Sequence, residues 1–383
     1  MVCYHPLHAF KDGLTKDGNQ HYKITSNKVK SVSFDKSTNH WYMSSNPDEY
    51  YNNNYIDIPC GQCVGCRIDY SRQWALRCVL ESYYHEATMF LTITYDDEHV
   101  PHSSYVDDIT GEVKDILTLE PDDFRNFMKR LRYYYKSRYD KELRFYACGE
   151  YGSQTLRPHY HAIVFGLKLD DLCLVKQSGT GNNLYESPLV NKAWKKGFVL
   201  LSESNFDTCA YTARYVMKKR KGKDSDEYEK FNIVPEFVRM SRNNGIGFQY
   251  YQDHKNEIYE HDEIILADGK KFKPPHFFDK MYAEEFPDEF EKVLNNRIEC
   301  AQLSDNTKEK LYGDKYLRLT REEIAKKASV AKLIRELWKE VINMKKRQSV
   351  YSPKKDKKFF RRTAVDSKRL NVNPPTFRGG IRL

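Results

Sequence analysis

The hydrophobic pattern of the chain switches between helical and strand-like periodicity. Residues 67–86 and 121–139 repeat apolar positions every three or four residues, which predicts two helices. Residues 88–95 alternate apolar and other positions and are rich in β-branched and aromatic side chains, which predicts a strand. The same criteria predict more strands at 143–150, 159–165 and 198–201, and later helices at 274–282, 286–295 and 321–343. This mixed order indicates an α+β protein in which helices cover an antiparallel sheet.

Two histidines fall on one side of the predicted strand at 159–165. Alternate residues of a strand share a face, so we expect His159 and His161 to point the same way and Tyr160 to point the other. Two imidazoles on one face are able to bind one divalent cation. Glu150 ends the preceding strand before a Gly-rich turn and is the best third ligand. The alternative is a pair of ordinary strand histidines.

Two tyrosines recur four residues apart in a later segment with helical character. Residues at i and i+4 have Cβ atoms about 5–6 Å apart on one helix face, so Tyr211 and Tyr215 are able to face one site. Lys218 follows one turn later and begins a basic run over residues 218–221, which favours phosphate contact. The alternative is an aromatic stripe packed in the core, because the chain has 29 tyrosines.

These motifs occur in an order that resembles the HUH rolling-circle replication initiators. The resembling segments are a first strand motif at Met89–Tyr95, a metal motif at Gly149–Gly152 and Arg157–His161, and the two-tyrosine helix with Tyr211, Tyr215 and Lys218. Cys60–Arg67 and Ser241–Gly247 closely resemble segments of the initiators of gokushovirus-like microviruses. The resemblance covers about residues 1–250. Tyr160 is bulkier than the aliphatic residue usual at that position, but we expect no loss of metal binding because it points to the opposite face.

The resemblance implies a fold and a reaction. It implies a five-stranded antiparallel HUH sheet flanked by helices, and a Mg²⁺ or Mn²⁺ ion held by His159, His161 and Glu150. A tyrosine would nick the phage origin in single-stranded DNA, leaving a 5′-phosphotyrosine and a 3′-OH primer, and rejoining would release a circular strand. Lys218 would steady the phosphate charge or contact the DNA backbone. The further DNA-binding candidates are Arg157, Arg214, Lys219, Arg220 and Lys221.

Two other classes of function are compatible with these motifs. One is a different HUH enzyme, a transposase or a plasmid relaxase, and the other is a non-catalytic zinc-containing DNA-binding protein. The sequence contains no Gly-x4-Gly-Lys-Ser/Thr phosphate loop. We therefore expect a host helicase and a host DNA polymerase as partners.

Nine cysteines, an odd number, argue against a disulfide framework. Cys60, Cys63 and Cys66 have the spacing of zinc ligands, and Cys3 is the fourth candidate, with His5 or His8 as alternatives. An iron–sulfur cluster and free thiols also fit this spacing. We favour a structural zinc ion that ties the N-terminus to the helix beginning near residue 67.

The positive charge of the chain is concentrated at its C-terminal end. The net charge is +9, and residues 341–383 contain 13 Lys and Arg against two Asp. This composition predicts a disordered tail that holds DNA non-specifically, the alternative being a solubilising tail. No run of 18 apolar residues and no signal peptide is evident, so we expect the cytoplasm of the bacterial host.

Four segments are predicted along the chain. They are an N-terminal segment with a zinc knuckle at 1–66, an HUH endonuclease core at 67–250, a mainly helical region at 251–343 and a basic tail at 344–383.

Overall fold

The computed structural model describes residues 3–15, 20–152, 156–177, 183–204, 206–214 and 225–331. The chain divides into two compact units. One unit contains the residues up to Asp69 together with Cys300–Ser329, and the other is built mainly from Tyr70–Glu299. Residues from the predicted helical region thus belong to the same unit as the N-terminal segment. The four predicted segments stay a prediction.

The N-terminal part of the first unit is built from strands. They are β1 (Leu7–Leu14), β2 (Gln20–Ser26), β3 (Ser31–Asp35), β4 (His40–Ser44) and β5 (Tyr55–Ile58). β1 pairs with β2 on one side and β5 on the other, and β3 and β4 form a separate antiparallel pair. The sequence prediction placed only a cysteine knuckle in this region. The strands are short and half-exposed, so their alternation was too weak to detect.

The remaining elements alternate helices with strands. In chain order they are α1 (Val64–Ser82), β6 (Thr88–Tyr95), β7 (His102–Val106), β8 (Val113–Leu117), α2 (Pro121–Tyr139), β9 (Arg144–Tyr151), β10 (Pro158–Phe165), β11 (Cys173–Gln177), β12 (Asn183–Glu186), α3 (Pro188–Trp194), β13 (Gly197–Glu203), α4 (Phe206–Arg214), α5 (Asp226–Lys230), β14 (Phe237–Met240), α6 (Phe248–His261), β15 (Ile264–Ile265), β16 (Lys271–Phe272), α7 (His276–Glu285), α8 (Pro287–Tyr312) and α9 (Lys315–Ala331). Among the described residues, no helix is both long enough and apolar enough to cross a membrane.

A large antiparallel sheet forms the centre of the second unit. Its described strands lie in the order β11–β12–β13–β6–β10–β9–β14, and all neighbours are antiparallel. The predicted α+β class and the predicted antiparallel sheet with helices are therefore confirmed. The sheet has seven strands where the resemblance implies five, because the β11–β12 hairpin extends it beyond β13.

The two faces of this sheet carry separate hydrophobic cores. On β6, Met89, Leu91, Ile93 and Tyr95 pack into one core with the apolar stripe of α2, as the alternation predicted. The opposite face supports a second core. Its members include Ile163 and Phe165 from β10, Cys209 and Ala213 from α4, and residues of α1, α6 and α7.

Tyr160 lies in the first core, on the face opposite His159 and His161. Its hydroxyl lies 2.7 Å from the Tyr95 hydroxyl and 2.7 Å from the carbonyl oxygen of Glu120, the residue that caps the N-terminus of α2. Tyr95 in turn donates to Asp123 at 2.8 Å. Burial raises the pKa of Tyr160, which keeps the hydroxyl protonated. A tyrosine is thus accommodated here because its polar end is satisfied by α2.

The Ser241–Gly247 segment singled out by the resemblance is fixed by charged side chains. Arginine side chains donate to its carbonyl groups: Arg144 to those of Asn243 and Gly245, and Arg77 to that of Ile246. Glu81 accepts from the N–H of Gly247 at 2.7 Å. Ile246 is fully buried in the second core. This segment therefore closes the β14–α6 connection as a defined turn.

Gly197 permits the close approach of β13 to β6. Its φ is +142°, and a Cβ there would lie 2.3 Å from the Thr94 carbonyl oxygen and 2.4 Å from the Asp96 nitrogen. Gly197→Ala should therefore lower the free energy of unfolding by about 3 kcal/mol, measured by chemical denaturation. Gly111→Ala is the control, because Gly111 also has positive φ but has nothing within 4 Å of the added Cβ. It should cost only about 1–2 kcal/mol. Equal losses in the two variants would show that the clash at Gly197 is relieved.

Candidate metal centre

Glu150, His159 and His161 converge on one point of the sheet. β9 and β10 pair so that Glu150 lies directly opposite His159. Glu150 Oε1 lies 2.6 Å from His159 Nε2 and 3.0 Å from His161 Nε2. The three potential ligand atoms all lie within 4.8 Å of one another. The sequence placed Glu150 here through a turn, and antiparallel pairing is what brings it beside the histidines.

The second ring nitrogen of each histidine is occupied, which fixes the ring orientation. His159 Nδ1 lies 3.1 Å from the Arg157 carbonyl oxygen, and His161 Nδ1 lies 3.2 Å from Thr92 Oγ1. A metal-binding histidine commonly has such a partner on the ring nitrogen that does not bind the metal. The His161 ring also stacks on Phe90, at a centroid distance of 5.5 Å and an angle of 11°. Both Nε2 atoms are thereby directed toward Glu150.

Burial distinguishes this group from an ordinary surface cluster. Glu150 is 2% exposed and His161 3% exposed, while the His159 side chain is 16% exposed. The site is therefore closed on the sheet side and open to solvent at His159. Burying a carboxylate is costly unless it is paired or bound to a metal. An oxygen and two imidazole nitrogens suit Mn²⁺, and also Mg²⁺ if water completes its shell.

A pair of threonines on β6 belongs to the same site, and the sequence analysis missed it. Thr94 lies opposite His159 and Thr92 opposite His161. Thr94 is 2% exposed, and among the described residues its Oγ1 has no hydrogen-bond partner. A buried hydroxyl of this kind is commonly satisfied by water or a ligand. The Thr-x-Thr spacing within the predicted strand, equal to that of His-x-His, was the signal that could have found it.

The helix that carries Tyr211 packs on the face of the sheet that bears the histidines. α4 lies against β9 and β10, and its residues Cys209 and Ala213 share the second core with Ile163. Ile163 follows His161 by two residues on the same side of β10. Thr208 and Thr212 are also buried along α4. The backbone of Tyr211 is therefore held in a helix above the histidine-bearing face.

Several predicted residues lie outside what the structure describes. Tyr215, Lys218, Lys219, Arg220 and Lys221 fall outside the described residues, as do the side chains of Tyr211 and Arg214. Their roles stay predictions.

Arg157, predicted to contact DNA, is described and already has protein partners. Its guanidinium lies 2.6 Å from Asp97 Oδ1 and donates to the Tyr95 carbonyl oxygen at 2.9 Å. A DNA phosphate would have to share or replace the Asp97 contact. Arg157 also orients His159 through its carbonyl oxygen.

The four predicted cysteines form a second group of potential ligands. Cys3, Cys60, Cys63 and Cys66 have Sγ atoms within 4.8 Å of one another. The alternative fourth ligands are engaged elsewhere, since His5 lies 2.8 Å from Glu323 and His8 lies 2.7 Å from the Val29 carbonyl oxygen. Cys3 is therefore the fourth member. Four sulfur atoms at this separation are compatible with a bound metal ion.

Comparison with known proteins agrees with the order of these motifs. Residues 88–220 match the family model of the Replication-associated protein ORF2. The chain is 36% identical over 246 residues to the Replication-associated protein ORF2 of Spiroplasma virus 4, a match that covers 62% of this chain and 72% of the relative. This chain belongs to the family of phage replication-associated proteins.

Other members of this family are more distant. The Replication-associated protein VP4 of Bdellovibrio phage phiMH2K is 27% identical over 239 residues, covering 61% of this chain and 70% of the relative. The Replication-associated protein ORF4 of Chlamydia phage 1 is 28% identical over 257 residues, covering 63% and 59%. No solved structure matches the chain significantly. The resemblance to phage replication initiators is therefore confirmed at the level of the family.

Proposed function

We propose that this protein is a metal-dependent HUH endonuclease that initiates rolling-circle replication of a small phage genome. It would nick the origin in single-stranded or unwound DNA through a tyrosine, and later rejoin the strand to release a circle. The observation that carries this proposal is the convergence of Glu150, His159 and His161 beneath the helix that contains Tyr211. Membership of the replication-associated family supports the same role.

The residues present fit a divalent cation. Glu150 Oε1 and the two histidine Nε2 atoms converge, both Nδ1 atoms are occupied, and Thr94 offers a buried hydroxyl beside them. A Mg²⁺ or Mn²⁺ ion bound there would supply Lewis-acid polarisation of the scissile phosphate. The protein's own contribution is to hold the three ligands rigidly on paired strands, so that no rearrangement is needed when the phosphate arrives.

The tyrosine is the proposed nucleophile. A free tyrosine hydroxyl has a pKa of about 10, so at neutral pH it attacks well only when the phosphate is polarised and held in line. Its oxygen forms a bond to phosphorus and loses its proton, while the bond from phosphorus to the 3′ oxygen breaks and that oxygen gains a proton. The products are a 5′-phosphotyrosine and a free 3′-OH. Lys218, one turn after Tyr215, is the candidate for steadying the added negative charge.

The phosphotyrosine keeps the energy of the phosphodiester bond, so rejoining needs no ATP. The 3′-OH would prime a host polymerase, and a host helicase would unwind the duplex because the chain has no phosphate loop of its own. With two tyrosines on one helix, the second would cut the regenerated junction while the new 3′-OH attacks the first adduct. This alternation would release a circular single strand.

The proposed DNA contacts combine specific and non-specific charges. Arg157 and Arg214 flank the metal group and the tyrosines in sequence, and Lys219, Arg220 and Lys221 follow Tyr215. The basic tail adds 13 Lys and Arg between residues 341 and 383. Charges of this kind act mainly through phosphates and are sensitive to salt.

Deleting residues 345–383 should weaken DNA binding and flatten its salt dependence, while leaving cleavage of short oligonucleotides intact at high protein concentration. Each lost phosphate contact on single-stranded DNA should reduce the slope of log K against log salt by about 0.7. Fluorescence anisotropy over a salt series measures this slope. A truncated protein that binds normally but no longer cleaves would contradict the assigned role of the tail.

The experiment that tests the proposed function uses circular single-stranded DNA of the encoding element with the purified protein. With Mn²⁺ or Mg²⁺ we expect DNA that migrates with protein on a denaturing gel, and none when the metal is chelated. Protease digestion should remove the retardation. Clear DNA binding without any adduct in either metal would overturn the proposal and favour a non-catalytic DNA-binding protein. A strand-transfer product on the cognate origin would separate a replication initiator from a transposase or relaxase.

A further inference from the structure

The four-cysteine group in the first unit has the geometry of a metal site with its own function. Cys3 precedes β1, Cys60 follows β5, and Cys63 and Cys66 lie at the start of α1. The pairing of Leu7 with Ile58 brings the two chain segments together. All four cysteines are free thiols. We propose that Cys3, Cys60, Cys63 and Cys66 bind one zinc ion, and that this ion builds the surface on which α9 docks.

Backbone N–H groups surround the sulfur atoms in a pattern suited to thiolates. Cys60 donates its N–H to Cys3 Sγ at 3.3 Å, and Tyr4 donates to Cys63 Sγ at 3.4 Å. Two more amides point at Cys60 Sγ: those of Gln62 at 3.5 Å and Cys63 at 3.3 Å. Such donors stabilise the negative charge that a zinc-bound sulfur carries.

The turn between these ligands depends on a glycine. Gly61 has φ +71°, a conformation that L side chains rarely adopt. It allows the chain to reverse after Cys60 so that the amides of Gln62 and Cys63 face the sulfur. The short Cys60–Cys66 segment is therefore folded as a knuckle rather than as an open loop.

The spacing of the sulfur atoms favours a single ion over a cluster. Four ligands about 2.3 Å from one tetrahedral zinc ion lie about 3.8 Å from each other. Here Cys3 Sγ and Cys63 Sγ are 4.0 Å apart, and all four sulfur atoms lie within 4.8 Å. In an iron–sulfur cluster the thiolates bind separate iron atoms, which spreads the sulfur atoms farther apart. The distances therefore match one metal ion.

α9 contacts the cysteine group and the strands around it. Leu319 is 6% exposed and packs with Tyr4, Cys63 and Cys66 in a small hydrophobic cluster of their own. Leu319 is thus the member of α9 that lies against the proposed metal ligands. Without an ion, this cluster has too little apolar surface to hold the four thiols together.

Polar contacts on either side of Leu319 complete the docking of α9. Tyr316 lies 2.9 Å from the fully buried His8, and Glu323 lies 2.8 Å from His5. Lys315 bonds Asp57 at 2.8 Å. His5 and His8 follow Cys3 closely, and Asp57 precedes Cys60, so the segments that carry the metal ligands also carry the partners of α9. Loss of the ion should therefore release α9 from these segments.

The first test measures metal content and coordination in the full chain. We expect one zinc per protein by elemental analysis, and replacement by Co²⁺ should give the visible absorption of tetrahedral thiolate coordination. Cys63→Ser should lose the zinc, whereas Cys300→Ser, which removes an exposed cysteine outside the group, should keep it. Bound iron with a cluster spectrum, or no metal in wild-type protein, would overturn the proposal.

The second test asks whether the ion supports α9. Hydrogen exchange of residues 315–329 should rise when zinc is removed from wild-type protein by a chelator, while exchange in β6, β9 and β10 should stay unchanged. The melting temperature of the first unit should also fall. Unchanged exchange and an unchanged melting temperature after complete zinc removal would refute the docking role, even if Cys63→Ser proved too unstable to purify. The site is independent of nicking, because a His161→Gln variant should retain full zinc content.

Discussion

Replacing Tyr211 and Tyr215 together by phenylalanine should abolish the covalent DNA adduct. The phenylalanine rings preserve the size and apolar character of the side chains but have no nucleophilic oxygen. The change should therefore leave folding and DNA binding nearly intact while removing the bond to phosphorus. The measurement is the amount of DNA that migrates with protein on a denaturing gel in Mn²⁺, alongside anisotropy for binding.

The single variants and a matched tyrosine give this result its meaning. Tyr211→Phe and Tyr215→Phe separately should show which tyrosine makes the first cut, because the leading one alone should remove most of the initial adduct. Tyr133→Phe serves as control, since Tyr133 is 71% exposed on α2, whose buried stripe belongs to the core on the opposite sheet face. A double variant that still forms the adduct would assign the nucleophile to another residue.

Replacing His161 by glutamine should reduce cleavage on the order of 10²–10³-fold. His161 supplies one of the three atoms that converge on the proposed ion, and its ring is fixed by Thr92 and Phe90. Glutamine retains much of the volume and polarity, so the melting temperature should fall little. Cleavage measured against Mn²⁺ concentration should show weaker metal binding, with partial recovery of the rate at high metal.

His254→Gln provides the comparison for His161. His254 lies exposed on α6, and the His254→Gln variant should cleave as wild type does at every Mn²⁺ concentration. If His161→Gln cleaved normally, the histidines would be structural and the metal would bind elsewhere. If it lost activity only together with its fold, the melting curve would reveal this before any mechanistic conclusion.

Much of the sheet could be predicted from the sequence because its signals are local. The strand at Thr88–Tyr95 and the helix at Pro121–Tyr139 have the predicted bounds. Their apolar residues alternate or repeat strictly, since each buries one face completely. The pairing of His159 with His161 on one face follows from the same alternation.

Other features depended on contacts between distant parts of the chain. The β11–β12 hairpin widens the sheet, but its strands are mostly exposed and carry little alternation. Thr94 had no chemical signal of its own, and only its position opposite His159 makes it part of the site. The membership of α9 in the first unit, with Tyr316 against His8, also could not be read from local pattern.

By itself the sequence determined which residues have the chemistry: the His-x-His pair, the four cysteines, the spaced tyrosines and the charged tail. It also determined the α+β class, because periodicity is set by which side of each element faces the core. The tertiary structure alone decided that Glu150 lies 2.6 Å from His159, that α4 covers the histidine-bearing face, and that Cys3 completes the cysteine group. Strand register and helix docking bring these residues together, and both arise from packing between segments that are far apart in the chain.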